Sequence, residues 1–185
     1  MKVIIGGIPG VGKTTVLKGL KDSGITVENY GDIMFLEAKE RGFVSSRDEI
    51  RKLSVDLQKE IQLMAARKIS SFKDIVVDTH FSIVTNSGYL PGLPYSILSI
   101  LNPDLLISIE ADPLEIFERR RKDTERNRDK DTLEKIRQHL EANRNYGFSY
   151  SALTGAPLLI VLNEDGKAEE ATRRIIEAIA GGGGK

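Results

Sequence analysis

Cysteine is absent from this 185-residue chain. That excludes disulfides, a thiolate zinc site and a thiol nucleophile. An excess of one charge sign is absent too: 27 basic side chains stand against 27 acidic ones. Such a balance speaks against a surface built to coat nucleic acid. No apolar run approaches the roughly 18 residues that a membrane span needs. The opening Met1-Lys2 is followed by only three apolar residues before glycine, too few for the core of a signal peptide. A cytoplasmic protein with no membrane and no nucleic-acid partner is the expectation.

What is present is an alternation of short β-branched runs and amphipathic stretches. Val3–Ile5, Ile25–Val27, Ile75–Val77, Leu105–Ile109 and Leu158–Leu162 read as five buried strands. Helical spacing marks Val16, Leu17 and Leu20 up to Gly24, a stretch from Asp32 to Gly42, and a long helix from Arg47 to Phe72. Further helices are expected over Leu114–Lys122, Thr132–Leu153 and Ala168–Ala180. The segment beginning at Asn86 (NSGYLPGLP) reads as a loop, and the charged run Asp123–Asp131 as a mobile one. The alternation predicts an α/β fold, a five-stranded parallel sheet with helices on both faces, and the GIPGVGKTT stretch after the first strand places it in the P-loop NTPase class. One domain is expected over 1–180, with a disordered Gly-rich tail at 181–185.

The first strand runs directly into GIPGVGKTT, which fits Gly7-x4-Gly12-Lys13-Thr14 in full. Gly7, Ile8, Pro9, Gly10, Val11, Gly12, Lys13, Thr14 and Thr15 are therefore the candidate phosphate cradle. Its glycines allow backbone N–H groups to turn toward phosphate oxygens, and the following helix adds the positive end of its dipole. Lys13 is placed to carry charge to the β and γ phosphates, and Thr14 to ligand Mg²⁺. Strand and helix in the right order make this motif specific for nucleotide. It leaves open which group is phosphorylated.

Asp78 closes the third strand, at the carboxyl end where ligands of open parallel sheets sit. It is a candidate for Mg²⁺ through water or for the acceptor; a helix cap is the alternative. His80, two residues on, is a candidate acceptor contact or a structural loop residue. The arginine-rich stretch holds Arg119, Arg120, Arg121, Arg126, Arg128, Arg137 and Arg144. Interspersed acids allow a solvated face, yet arginine forks also stabilise a transferring phosphoryl group. Arg126, Arg128, Arg137 and Arg144 are the candidate catalytic arginines, the last two sharing a helix face. Arg47 and Arg51 are candidates for an acceptor phosphate. Asp32 reads as a helix cap, and Asn163 as part of a turn.

These segments together resemble the archaeal-type adenylate kinases: GIPGVGKTT, YGDIMFLEAKERG, RDEIRKL, VVDTH, GYLPGLP, the arginine-rich run and NRNYGFSYSAL. The resemblance covers nearly the whole chain. It implies a nucleoside monophosphate kinase fold, with an acceptor-binding helical part over about 30–72 and a short lid over about 122–131. It implies ATP + AMP ⇌ 2 ADP with Mg²⁺, and a homotrimer. Bacterial and eukaryotic adenylate kinases carry Asp-Gly-Phe-Pro-Arg after the third strand. Here Asp78 is followed by Thr79, His80 and Phe81, so the acceptor phosphate must be held differently. A zinc-bearing lid is excluded. A kinase of CMP, UMP or a small metabolite such as shikimate is the alternative within the same fold. A GTPase switch lacks its Asn-Lys-x-Asp motif, and an RNA-binding role is disfavoured by the neutral charge.

Overall fold

Val3, Ile4 and Ile5 form the centre of β1 (Lys2–Gly6) and are all but fully buried. In the computed structural model, which describes residues 1–122 and 132–182, this strand lies mid-sheet. In chain order the further elements are α1 (Lys13–Asp22), β2 (Val27–Asn29), α2 (Tyr30–Glu40), a 3₁₀ turn (Arg47–Lys52), α3 (Val55–Ser70), β3 (Ile75–Asp78), β4 (Ser82–Thr85), β5 (Gly88–Pro91), α4 (Tyr95–Leu101), β6 (Leu105–Glu110), α5 (Pro113–Lys122), α6 (Leu133–Thr154), β7 (Leu158–Leu162) and α7 (Ala168–Gly181). The main sheet is five-stranded in the order β2-β3-β1-β6-β7, and every pairing is parallel.

Successive strand residues point to opposite faces, so each run of β-branched residues feeds two cores. Val3, Ile5, Val76, Leu105, Ile107 and Ile109 meet α1 and α7 on one face. Ile4, Ile75, Val77 and Leu106 meet α3, α4 and the end of α6 on the other. A third cluster, around Ala38, Val44, Ile50 and Ile61, joins α2 to α3 beside the sheet. Full burial of one such side chain contributes about 1.5–3 kcal/mol, so the carboxyl ends of β1, β3 and β6 are held on a rigid base.

Four elements differ from the sequence reading. The second strand lies over Val27–Asn29 rather than Ile25–Val27. The stretch Arg47–Phe72 is not one helix: the 3₁₀ turn ends at Lys52, and Ser54 starts α3 by accepting the Leu57 N–H at 3.3 Å. The serine offers the backbone a cap where a continuous helix would need another turn. The stretch from Asn86 read as a loop holds β5, which pairs with β4 in a hairpin, and it is followed by α4, whose Ile97, Leu98 and Leu101 are buried. Gly181 belongs to α7, so the helix reaches into the stretch read as tail.

Tyr150 of α6 ties these loops to the sheet. Its phenol donates to Phe81 O at 2.7 Å and accepts the Leu93 N–H at 3.1 Å. Burial pushes that phenol up to about 12. The Phe81 ring, fully buried, meets Tyr150 edge-on at 5.6 Å. Thr79 and His80, which follow β3, are thereby fixed relative to the loop after β1.

Candidate active site

The loop between β1 and α1 is held by three side chains acting on three consecutive carbonyls. Arg120 donates from Nε and Nη2 to Pro9 O, at 2.9 and 2.6 Å. Arg119 Nη1 lies 3.4 Å from Gly10 O. Asn163 Nδ2 donates to Val11 O at 2.8 Å. In a trans peptide the carbonyl and the next N–H point in opposite directions. Fixing three carbonyls therefore fixes three N–H groups, those of Gly10, Val11 and Gly12. Gly12 itself sits at φ 79°, left-handed, as the residue that caps α1.

Arg119 is further anchored by Asp165, by Glu115 at 3.0 Å and by Asn163 O at 3.1 Å. Arg120 and Asn163 are buried. The sequence reading names all three, Arg119 and Arg120 in the arginine-rich run and Asn163 after the last strand, but assigns none of them to holding the loop. For Arg120 the signal was present: it lies four residues after the buried Ile116, on the same helix face.

At the tip of β3, Asp78 faces the loop lysine. Lys13 Nζ lies 2.5 Å from Asp78 Oδ1 and 2.7 Å from Thr79 O. Asp78 Oδ2 accepts from Asn29 Nδ2 at 2.7 Å. The pairing register explains this: Asn29 is opposite Asp78 across β2–β3, and Asp78 is opposite Ile5 across β3–β1. Neighbouring residues of parallel strands project to the same side. His80 brings Nδ1 to 3.4 Å from Gly7 O. Burial, then the charge of Lys13, hold its imidazole below the ordinary value, so at neutral pH it is uncharged.

Asp32 is not the cap of α2. Asn29 is, its Oδ1 accepting the Asp32 N–H at 3.1 Å. Asp32 instead pairs with Arg47, which also places Nη2 3.3 Å from Asn29 Oδ1. Arg47 lies across the start of α2 because residue 31 is glycine; a Cβ there would stand 2.4 Å from Arg47 Nη2.

One cavity of about 600 Å³ is lined by Gly7, Ile8, Pro9, Gly10, Gly12, Lys13, Thr14, Asn29, Arg47, Asp78, His80, Arg119 and Arg120. Of the remaining sequence candidates, Val11 is buried beneath the loop and Thr15 points to a separate surface depression beside α7. Arg51 is exposed on the 3₁₀ turn and does not line this cavity. Arg126 and Arg128, with the segment 123–131, lie outside the described residues.

Arg137 and Arg144 share a face, as their spacing predicts, but that face lines a second cavity of about 650 Å³ beside the ends of β6 and β7. There Arg144 holds the buried Glu110 by a two-pronged ion pair, and the Glu110 hydrogen bond keeps its guanidinium above the ordinary value. Arg137 and Arg144, candidate catalytic arginines, thus line this second cavity and not the one beside the loop. Ser108, Glu110 and Asn143 form a hydrogen-bonded group there that seats α6 on the sheet.

The arrangement is a phosphate cradle with a lysine–aspartate pair on one side and an arginine over a helix start on the other. The comparisons with known proteins agree with that chemistry. The family described as AAA domain matches residues 6–137. The chain is 49% identical over 181 residues to the adenylate kinase of Thermoplasma acidophilum, covering 97% of this chain and 99% of that one. It is 47% identical over 184 residues to the adenylate kinase of Methanopyrus kandleri, covering 96% of each. Among solved structures, the shikimate kinase of Acinetobacter baumannii in complex with shikimate superposes with a TM-score of 0.65 at 16% identity, covering 100% of this chain and 95% of that one. That of Bacteroides thetaiotaomicron gives 0.63 at 15%, covering 97% and 98%. At such identity the solved structures establish the fold alone, whereas the full-length relatives establish kinship: the chain belongs to the family of archaeal adenylate kinases.

Proposed function

We infer that the protein catalyses the reversible transfer of a phosphoryl group from ATP to AMP, giving two ADP. The observation that carries this reading is identity of 41–49% over nearly the whole chain to relatives named adenylate kinase. The site is consistent with it. The clamped loop and Lys13 receive the donor's phosphates. Arg47 and the N-terminal turn of α2 offer positive charge to the acceptor's phosphate about the same cavity. The acceptor nucleophile is already an anionic oxygen, so the reaction needs positioning and charge neutralisation rather than a general base.

Magnesium fits this site as a cation carried with the nucleotide. No group of three or more His, Cys, Asp or Glu able to hold a metal occurs among the described residues. The Thr14 hydroxyl lines the cavity. Asp78 is engaged by Lys13 and Asn29, so it would reach the ion through water. This is the usual habit of Mg²⁺, which keeps several waters and binds substrate phosphates. When bound it neutralises charge on the β and γ oxygens.

The test is ADP formation from ATP and Mg²⁺ with AMP, CMP, UMP, GMP, shikimate or no acceptor added in turn. AMP is expected to give the fastest production. Turnover with shikimate or CMP in place of AMP would move the protein to another acceptor.

A homotrimer, carried from the resemblance, and a cytoplasmic location, the expectation from the sequence, complete the proposal. Ile83 and Leu90, exposed and paired across the β4–β5 hairpin, share one of its faces and offer an apolar patch for self-association. Sedimentation is expected to give about three times the 20.5 kDa chain mass; a monomer at micromolar concentration would remove the trimer.

A further inference from the structure

We propose that Asn29 is a positioning residue that links the acceptor side of the site to the donor side. The proposal rests on the phosphotransferase reading above. One amide makes three contacts with different partners. Its oxygen accepts the Asp32 N–H at 3.1 Å, capping α2, and takes Arg47 Nη2 at 3.3 Å. Its nitrogen donates to Asp78 Oδ2 at 2.7 Å. The other oxygen of Asp78 holds Lys13 at 2.5 Å. Arg47, Asn29, Asp78 and Lys13 thus form one continuous chain from the start of the acceptor-side helix to the phosphate-loop lysine.

The orientation of the amide is fixed by its neighbours. Two donors face its oxygen and a carboxylate faces its nitrogen, so the reversed amide would oppose like groups at all three contacts. A donor on the far oxygen of Asp78 restrains the rotation of the carboxylate that meets Lys13. The position of Lys13 is set in turn, because the same ammonium also reaches Thr79 O. A network of this kind is worth more than its separate bonds when every member is satisfied. Charge arriving on Arg47 is felt at Asn29 Oδ1 and is passed, through the amide, to the carboxylate that holds Lys13.

A bland alternative is that Asn29 only caps α2. Two substitutions separate the readings, because serine and aspartate cap helices about as well as asparagine. Asn29→Ser keeps a cap but is too short to donate to Asp78. Asn29→Asp keeps the cap and places a second carboxylate against Asp78. The charged groups that face this pair are Lys13 from α1, Arg47 from the 3₁₀ turn and Asp32 from α2, and the titratable His80 stands after β3.

Both variants are expected to remain folded, with Asn29→Asp less stable at pH 8 and recovering toward pH 5.5 as the carboxylate pair takes up a proton. With Asn29→Ser, kcat is expected to fall roughly ten- to hundredfold, the scale of one charge-assisted hydrogen bond. With Asn29→Asp the loss is expected to be at least as large at pH 8 and to shrink toward pH 5.5. Two adjacent carboxylates raise one of their pKa values, and the shared proton restores a donor between them. Wild-type kcat at every pH in both folded variants would overturn the proposal and leave Asn29 a cap. Failure of the wild-type enzyme to respond to AMP in the same assay would instead overturn the underlying reading.

Discussion

A Lys13→Ala variant is expected to lose at least about a thousandfold in turnover, about 4 kcal/mol of transition-state stabilisation, while keeping its fold. Lys13 supplies the one cation that the loop itself carries, and it stands at the start of α1, where the helix dipole adds to its charge. Among the described residues, Arg119 and Arg120 also line the cavity but are engaged by loop carbonyls and, for Arg119, by Glu115 and Asp165, so they do not replace Lys13. The structural cost is smaller. The Lys13–Asp78 pair opens onto a cavity, so its loss leaves Asp78 with the Asn29 donor and access to water. A destabilisation of about 1–2 kcal/mol follows, a few degrees of melting temperature. The double variant Lys13→Ala/Asp78→Asn removes both charges. It is expected to recover most of that stability and none of the activity. Steady-state ADP production and thermal melts of the three proteins make the check. A folded Lys13→Ala enzyme with turnover near wild type would sink the assignment of the loop.

The sequence made the buried half of this fold legible and left its edges obscure. β1, β3, β6 and β7 are continuous apolar runs because both of their faces are covered, and such runs are readable without knowing what covers them. The β4–β5 hairpin was hidden for the opposite reason: Ile83, Val84 and Leu90 are exposed, Pro91 ends its second strand, and Gly88 and Gly92 read as loop punctuation. Ser54 carried a readable cap signal inside what appeared to be one amphipathic stripe. In the site, the motif residues Gly7 to Thr14 announced themselves by spacing. Asn29 did not, since its role depends on a strand register that puts it opposite Asp78. Arg119 and Arg120 were masked by the charged run around them, although the phase from Ile116 marks Arg120 as inward. Arg137 and Arg144 were correctly placed on one face; which cavity that face lines is decided by the packing of α6 beside β6 and by the buried Glu110.

Gly12→Ala is expected to be the second most damaging change, and it isolates what the loop clamp does. An alanine at φ 79° costs about 1–2 kcal/mol in backbone strain. Its Cβ would also stand 2.3 Å from Asn163 Nδ2, so the buried amide must move and release Val11 O. Losing that bond adds about 1–2 kcal/mol. The sum corresponds to roughly 5–15 °C in melting temperature for a chain of this size. KM for ATP is expected to rise at least about tenfold, because the N–H groups that the clamp orients lose their direction. KM for AMP should change far less, since Arg47 and Asn29 lie on the other side of the cavity. Gly24→Ala is the control: its φ is 83°, and nothing stands within 4 Å of the added carbon. It carries the strain without the clash, so it should cost stability and leave KM for ATP unchanged. Gly12→Ala/Asn163→Ala relieves the clash but removes the holder of Val11 O; stability should recover in part and ATP affinity should not. Equal KM values for ATP in the Gly12 and Gly24 variants would show that the loop needs no holding from Asn163, and the three-carbonyl clamp would reduce to packing.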